Sequence, residues 1–192
     1  MTMILSGDGT ITGLTAGGLP DASVATADIV DLAVTPAKMS QKLTSGTAVN
    51  STSGASIDFT GIPSWVKRIT VMFNNVSTNG TSLVQIQLGS SSGITNSGYA
   101  GFTQSSGAGQ SSSTGFVLDT SGSASYVRYG SVVLTNITAN TWAIMGTVGP
   151  LTTFVAAIGG AVATPNPVNT VRITTVNGTD TFDAGSINIL YE

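Results

Sequence analysis

Apolar and polar residues alternate in two runs near the middle of the chain. In the run 66–73 every second side chain from Ile69 onward is apolar, and the run 83–88 repeats this pattern from Val84. A period of two residues is that of a β-strand with one buried face. Because Asn79 and Gly80 between the runs tolerate the positive φ angles of a tight turn, the sequence predicts that the two runs pair as a hairpin.

The remainder of the chain after about residue 47 carries further strand signals, and no window has sustained helical periodicity. The segments 89–98 and 104–114 are rich in Ser and Gly and carry too little apolar surface to pack, so we expect exposed loops there. Strands at this spacing predict an all-β fold, specifically a jelly-roll-like β-sandwich. The additional predicted strands are 99–103, 115–118, 126–134, 141–148, 154–162, 170–176 and 186–191.

The N-terminal region differs, because it contains a short repeat. Segment 21–29 aligns with segment 31–39 at a period of ten residues, and a unit this short cannot bury its own apolar side chains. Three chains around one axis would bury them in a thin column, whereas a surface linker with accidental similarity is the alternative. The predicted stem residues of this homotrimer are Val24, Ile29, Val34 and Met39.

Two domains follow from these patterns. Residues 1–46 are predicted to form an attachment and trimeric stem region, and residues 47–192 a β-sandwich head domain. Within the first region, Gly7-Asp8-Gly9 predicts a turn between two very short strands at 3–5 and 10–12.

The low content of charged residues points to a protein that works within an assembly. Charged residues make up 8% of the 192 residues and the net charge is -3, whereas soluble domains carry about 25% charged residues. A nearly uncharged polar surface suits a protein held in a solid assembly.

The six Lys and Arg residues are spread along the chain, so nucleic-acid binding is not expected. There is no signal-peptide pattern after Met1 and no apolar run of about 18 residues, so neither Sec-dependent export nor membrane insertion is expected.

Three stretches resemble a known group of proteins. Asp31-Leu-Ala-Val-Thr-Pro-Ala-Lys38 is similar to the D-x-A-V-T-x-x-K units in the stems of bacteriophage tail fibres. The block from Ile57 to Phe73 resembles the head domain of tail-fibre-like proteins, and the stretch from Arg172 to Tyr191 resembles its terminal strands. The resemblance implies a virion protein that trimerises, is assembled in the host cytoplasm, contacts other tail or virion proteins and takes part in host attachment. Because the stem has only two repeat units, a tip, collar appendage or adaptor fits better than a long fibre.

Enzyme chemistry is not expected, although one alternative remains. The chain has no His and no Cys, which removes the Ser-His-Asp and Cys-His routes as well as thiolate metal sites. A pair of carboxylates from Asp58, Asp119, Asp180 and Asp183 leaves a polysaccharide-degrading tailspike open. A capsid-decorating or head-fibre protein is the non-enzymatic alternative.

No cofactor and no metal site is predicted. The segment from Asn177 to Asp183 loosely resembles a calcium loop, but it lacks the alternating acidic residues of an EF-hand. Two successive turns explain the same residues.

Exposed aromatic residues are the candidates for binding a host cell-surface glycan, because sugar rings stack on aromatic faces. Tyr99 and Phe102 lie beside the Ser/Gly-rich segments and are the predicted receptor-facing residues, with a core position as the alternative for each. Trp142 alternates with Ile144 and is predicted to be in the core, and Trp65 is predicted to cover an end of the sandwich.

Overall fold

The computed structural model describes residues 4–5, 11–12, 43–150 and 155–192. The chain divides into two compact units, Met1–Lys42 and Leu43–Glu192. In the first unit, strand β1 (Ile4–Leu5) pairs antiparallel with β2 (Ile11–Thr12), which confirms the predicted pair of short strands. The stem residues lie outside the described residues, so the stem and its trimer stay predictions. They are Val24, Ile29, Val34 and Met39.

The second unit consists of strands and their connections, and the described residues contain no helix. The predicted all-β class is therefore confirmed. The strands are β3 (Thr44–Ser45), β4 (Val49–Asn50), β5 (Ser56–Thr60), β6 (Arg68–Thr78), β7 (Val84–Ser90), β8 (Gly93–Ile94), β9 (Ala100–Ser105), β10 (Ala108–Ser112), β11 (Phe116–Val117), β12 (Arg128–Thr138), β13 (Thr141–Pro150), β14 (Ala156–Ala163), β15 (Val168–Thr175) and β16 (Phe182–Tyr191).

These strands form two antiparallel sheets. The nine-stranded sheet has the order β10-β9-β14-β13-β12-β6-β16-β3, with β4 also paired to β16, and the five-stranded sheet has the order β11-β7-β15-β5, with β8 paired to β7. Buried apolar side chains from both sheets form one hydrophobic core. One core shared by two sheets is compatible with a β-sandwich, and both the sandwich and its jelly-roll arrangement stay predictions.

The predicted hairpin between the runs 66–73 and 83–88 is wrong, because β6 and β7 lie in different sheets. β6 pairs with β12 and β16, while β7 pairs with β11 and β15. Alternation fixes which face of a strand is buried but not which strand lies beside it. Asn79 lies against Thr181 instead of closing a hairpin: its backbone N–H donates to the Thr181 carbonyl oxygen at 2.9 Å, and its side-chain oxygen accepts from the Thr181 N–H at 2.9 Å.

The predicted loop 104–114 is also wrong, because most of it belongs to a β-hairpin. Strands β9 and β10 pair through a two-residue turn, in which Ser106 has φ 41° and Gly107 has φ 83°. Positive φ at both positions is the type I′ turn that matches the twist of a hairpin. An edge strand needs only backbone pairing, so the lack of apolar side chains in β10 did not prevent it.

The two tryptophans differ in burial, and the core position predicted for Trp142 is confirmed, whereas the prediction that Trp65 covers an end of the sandwich stays a prediction. Trp142 is buried in the core. Trp65 is partly buried and packs at the edge of the core beside Tyr191, with 6.2 Å between the ring centroids.

Candidate functional site

Tyr99, one of the two residues predicted to face a receptor, is buried. Its ring lies edge-on to Phe116 at 4.8 Å between centroids, and 4% of the residue is exposed. The hydroxyl accepts a hydrogen bond from the backbone N–H of Leu88 at 2.8 Å and donates one to the carbonyl oxygen of Thr95 at 3.0 Å. Burial raises the pKa of this hydroxyl to about 12. Tyr99 therefore supports strand β7 from within the core, and its ring does not face a receptor.

Phe102, the other predicted residue, lies on the outer side of the nine-stranded sheet and is 51% exposed. Each neighbouring strand places one residue in register with it, so that a row of side chains crosses the sheet. Met145, in the middle of this row, is 71% exposed. The row consists of Phe102, Gly159, Met145, Val133, Thr70 and Leu190.

Two parallel rows flank the first on the same side of the sheet. We call the three rows together the apolar face. Its one charged residue is Arg68, whose guanidinium lies 3.1 Å from the Glu192 carboxylate, so the face carries no net charge. The flanking rows are Ala100, Ala161, Ala143, Thr135 and Arg68 on one side, and Gln104, Ala157, Thr147, Ser131 and Met72 on the other.

A shallow depression of about 530 Å³ lies in the middle of the apolar face. Val133 and Met145 border it, together with the hydroxyl groups of Ser131, Thr135 and Thr147. Arg68, whose guanidinium is paired with Glu192, also lines it. An apolar floor with a few hydroxyl groups suits contact with another protein surface better than it suits a charged ligand.

A second concave site lies on the outer side of the five-stranded sheet. We call it the polar groove, and its volume is about 360 Å³. Two rows of polar side chains form its floor, because β15 lies between β5 and β7 in register. The rows are Asp58–Arg172–Gln87 and Ser56–Thr174–Gln85.

The four carboxylates considered for hydrolysis each have their own hydrogen-bond partners. Asp58 binds Arg172 through two bonds of 2.8 and 2.7 Å. Asp183 accepts a hydrogen bond from the Ser77 hydroxyl. Asp119 accepts from the Arg128 Nε at 2.6 Å and Asp180 accepts from the Ser82 N–H at 2.9 Å, so each of the four carboxylates is hydrogen-bonded within the fold.

Asp119 and Arg128 form an ion pair inside the core. The Arg128 Nε donates to Asp119 Oδ2 at 2.6 Å, and neither side chain is exposed. Burial raises the pKa of Asp119 above its usual value, while the charge and hydrogen bond of Arg128 oppose this rise. Asp119 Oδ1 and Arg128 Nη2 lack hydrogen-bond partners among the described residues, so each polar group is only partly compensated for its loss of water.

Residues 177–180 form a side-chain-capped turn, whereas the second of the two predicted turns, at 183–185, is wrong, because these residues belong to strand β16. Asn177 Oδ1 accepts hydrogen bonds from the N–H groups of Thr179 and Asp180, at 3.0 and 3.2 Å. Asp180 accepts from the Asn177 amide at 2.7 Å and from the Ser82 N–H at 2.9 Å, and these bonds lower its pKa. The turn interpretation thus accounts for oxygens that a calcium ion would otherwise need. Within residues 43–150 and 155–192 no three His, Cys, Asp or Glu side chains cluster as metal ligands.

Sequence reasoning missed both surfaces. In segment 141–148 the face with Trp142 and Ile144 was identified as core, but the opposite face also holds Ala143 and Met145. Apolar residues on both faces of a predicted strand were the available signal. Gln85 and Gln87 were identified only as the polar side of a strand, because sequence does not show that they lie in a groove.

No helix in the described part of the chain has the length and apolar character needed to cross a membrane. Comparisons with protein-family models, with curated proteins and with solved structures found no match to this chain.

Proposed function

We propose that this protein is a structural component of a bacteriophage tail, a fibre tip, collar appendage or adaptor, that works as a homotrimer and takes part in attachment to the host surface. Its head is a β-sandwich, and its four partnered carboxylates hold the fold together instead of catalysing a reaction. The observation that carries the proposal is the apolar face, which offers a surface for self-assembly.

The size of the apolar face suits contact between copies. Six neighbouring strands about 4.8 Å apart and three residue rows about 6.7 Å apart give it a flat area of about 600 Å². One partner in a standard interface contributes about 800 Å² of accessible surface, which exceeds flat area because side chains have relief. Exposed anchors such as Phe102 and Met145 belong to the residue types enriched in interfaces.

The charge of the apolar face favours a second copy of the same chain as its partner. Because Arg68 is neutralised by Glu192, bringing identical faces together creates no like-charge repulsion. A face turned toward a three-fold axis contacts both neighbouring copies at once, which closes the assembly. The resemblance of segment 31–38 to tail-fibre stems supports the same oligomeric state.

Two measurements test the proposal. Native mass spectrometry of the full chain at micromolar concentration is expected to give the mass of three copies. Immunogold labelling of intact particles is expected to mark the tail. A folded species with the mass of one copy would contradict the assembly, and label on the capsid would favour the capsid-decorating alternative.

A further inference from the structure

The polar groove combines a concave shape with polar groups that the fold does not use. Gln85 is 3% exposed, yet its side chain lines the groove. Its Oε1 has a long 3.4 Å contact with the Thr114 hydroxyl, and its Nε2 donates to no described residue. Neither side-chain polar atom of Gln85 is among the buried atoms that lack a partner in the described residues, so its Nε2 is open to water from the groove. A ligand hydroxyl can take the place of that water and bond to the amide.

Neighbouring groups in the groove offer both donors and acceptors. Gln87 uses its amide nitrogen on the Thr114 carbonyl oxygen at 2.8 Å, so its Oε1 is left to accept. Ser56 and Asn96 contribute a hydroxyl and an amide at the rim. Such fixed, uncharged groups match a ligand whose hydroxyls both donate and accept.

The electrostatics of the groove favour a neutral ligand. Arg172 is its one cationic side chain, and Arg172 is already bound by both oxygens of Asp58 at 2.8 and 2.7 Å. An anionic ligand would have to compete with a carboxylate held by two charge-assisted hydrogen bonds.

The shape of the groove favours a ligand of more than one unit. A second depression of about 410 Å³ adjoins it, and the two share Ile94 and Asn96 in their walls. The second depression adds Thr164 and the polar segment 92–97. The floor of the groove lies across the paired strands β5, β15 and β7, whose backbone groups bond to one another there, which favours a ligand recognised through side chains.

We infer that the polar groove binds a neutral oligosaccharide, with Gln85 and Gln87 as the hydrogen-bonding floor. The inference rests on the proposed role in host attachment and names the class of ligand. No aromatic residue lines the groove among the described residues, so Ile94 and Val176 supply the apolar contacts. Binding by one subunit is expected to be weak, and three grooves on one trimer would raise the overall affinity through multivalency.

Saturation-transfer NMR on the full chain tests this inference. The neutral probes are maltose, lactose, cellobiose and N,N′-diacetylchitobiose, and the anionic probe is sialyllactose. At least one neutral probe is expected to bind at millimolar concentration, with little dependence on salt.

Three variants locate the binding. Gln85→Leu keeps the side-chain size and removes the amide, so affinity is expected to fall about tenfold. Asn96→Ala changes an exposed rim residue without risk to the core and is expected to weaken binding about threefold. Gln110→Leu removes an amide on β10, outside both the polar groove and the apolar face, and serves as the matched control, with unchanged binding expected.

Several outcomes would overturn the inference. These are the absence of binding by every neutral probe up to about 10 mM, binding by sialyllactose alone, or neutral binding that both groove variants leave unchanged. The mass of three copies and the tail label are measured separately. A trimer on the tail that binds no sugar would therefore overturn the ligand alone, whereas a single-copy protein would overturn the proposed function.

Discussion

At the scale of single residues, the buried ion pair between Asp119 and Arg128 joins two groups that respond differently when their partner is removed. Burial raises the pKa of the Asp119 carboxyl group, so this partner can become neutral by gaining a proton. Replacing Asp119 is therefore expected to change the free energy of unfolding differently from replacing Arg128.

We expect Asp119→Ala to destabilise the fold by about 3–5 kcal/mol, because it leaves a charged guanidinium buried without its partner.

We expect Arg128→Met to lower the free energy of unfolding by less than Asp119→Ala does at pH 5, where Asp119 is able to take up a proton. Its cost should grow toward pH 8, because a carboxyl group with a raised folded pKa loses stabilisation as pH rises. Urea unfolding at fixed protein concentration measures both. Equal losses for the two variants at both pH values would contradict this account.

Tyr99 gives a second prediction at the residue scale. Since its pKa is raised to about 12, the folded state favours the neutral phenol. Its contribution to stability is present below about pH 10, the usual value for Tyr, and is lost as pH rises toward 12. Ultraviolet titration is expected to show a phenol that ionises near pH 12, and Tyr99→Phe should remove that step. A titration curve that Tyr99→Phe leaves unchanged near pH 12 would contradict it.

At the scale of the element, glycines of β12 and β14 differ in how much space surrounds the position of an added Cβ atom. Gly130 has φ 127°, and a Cβ atom there would lie 2.3 Å from the Thr147 carbonyl oxygen on β13. Gly159 meets no atom within 4 Å of an added Cβ. We expect Gly130→Ala to destabilise the fold by about 1–3 kcal/mol through strain, and Gly159→Ala to change it by less than about 0.5 kcal/mol. Thermal unfolding of both variants compares them, and similar losses would contradict a role for local crowding.

Sequence predicted where most strands lie, because alternation around residues such as Ile69 and Val84 is a local property. It did not predict that β6 and β7 separate into two sheets, since a run of alternating residues fits any partner that buries the same side. It also missed β10, whose pairing depends on the Ser106–Gly107 turn and not on apolar side chains. The exposed position of Phe102 agrees with one of its two alternatives, whereas Tyr99 adopts the core alternative. The polar groove depends on register among three strands, which no local pattern contains.

At the scale of the whole molecule, the apolar face gives a prediction about assembly. In the proposed trimer, Met145→Glu would place a carboxylate from every copy in a contact without water, so we expect the variant to remain a single copy at micromolar concentration. Ile137→Glu is the matched control: Ile137 is 60% exposed but lies outside the three rows. Sedimentation velocity distinguishes the two variants. An intact trimer for Met145→Glu would show that copies meet elsewhere, and dissociation by both would show a nonspecific effect of charge.

Among the described residues, β10 is the end strand of the nine-stranded sheet, and no further strand pairs with it. Lysine, proline and inward-pointing charge are the usual means of blocking such an edge, and none of them occurs in Ala108–Ser112. Concentrated solutions of the purified head would consequently be prone to edge-to-edge fibrillation, and a single lysine in place of Ser111 is the natural remedy for anyone preparing the protein for storage.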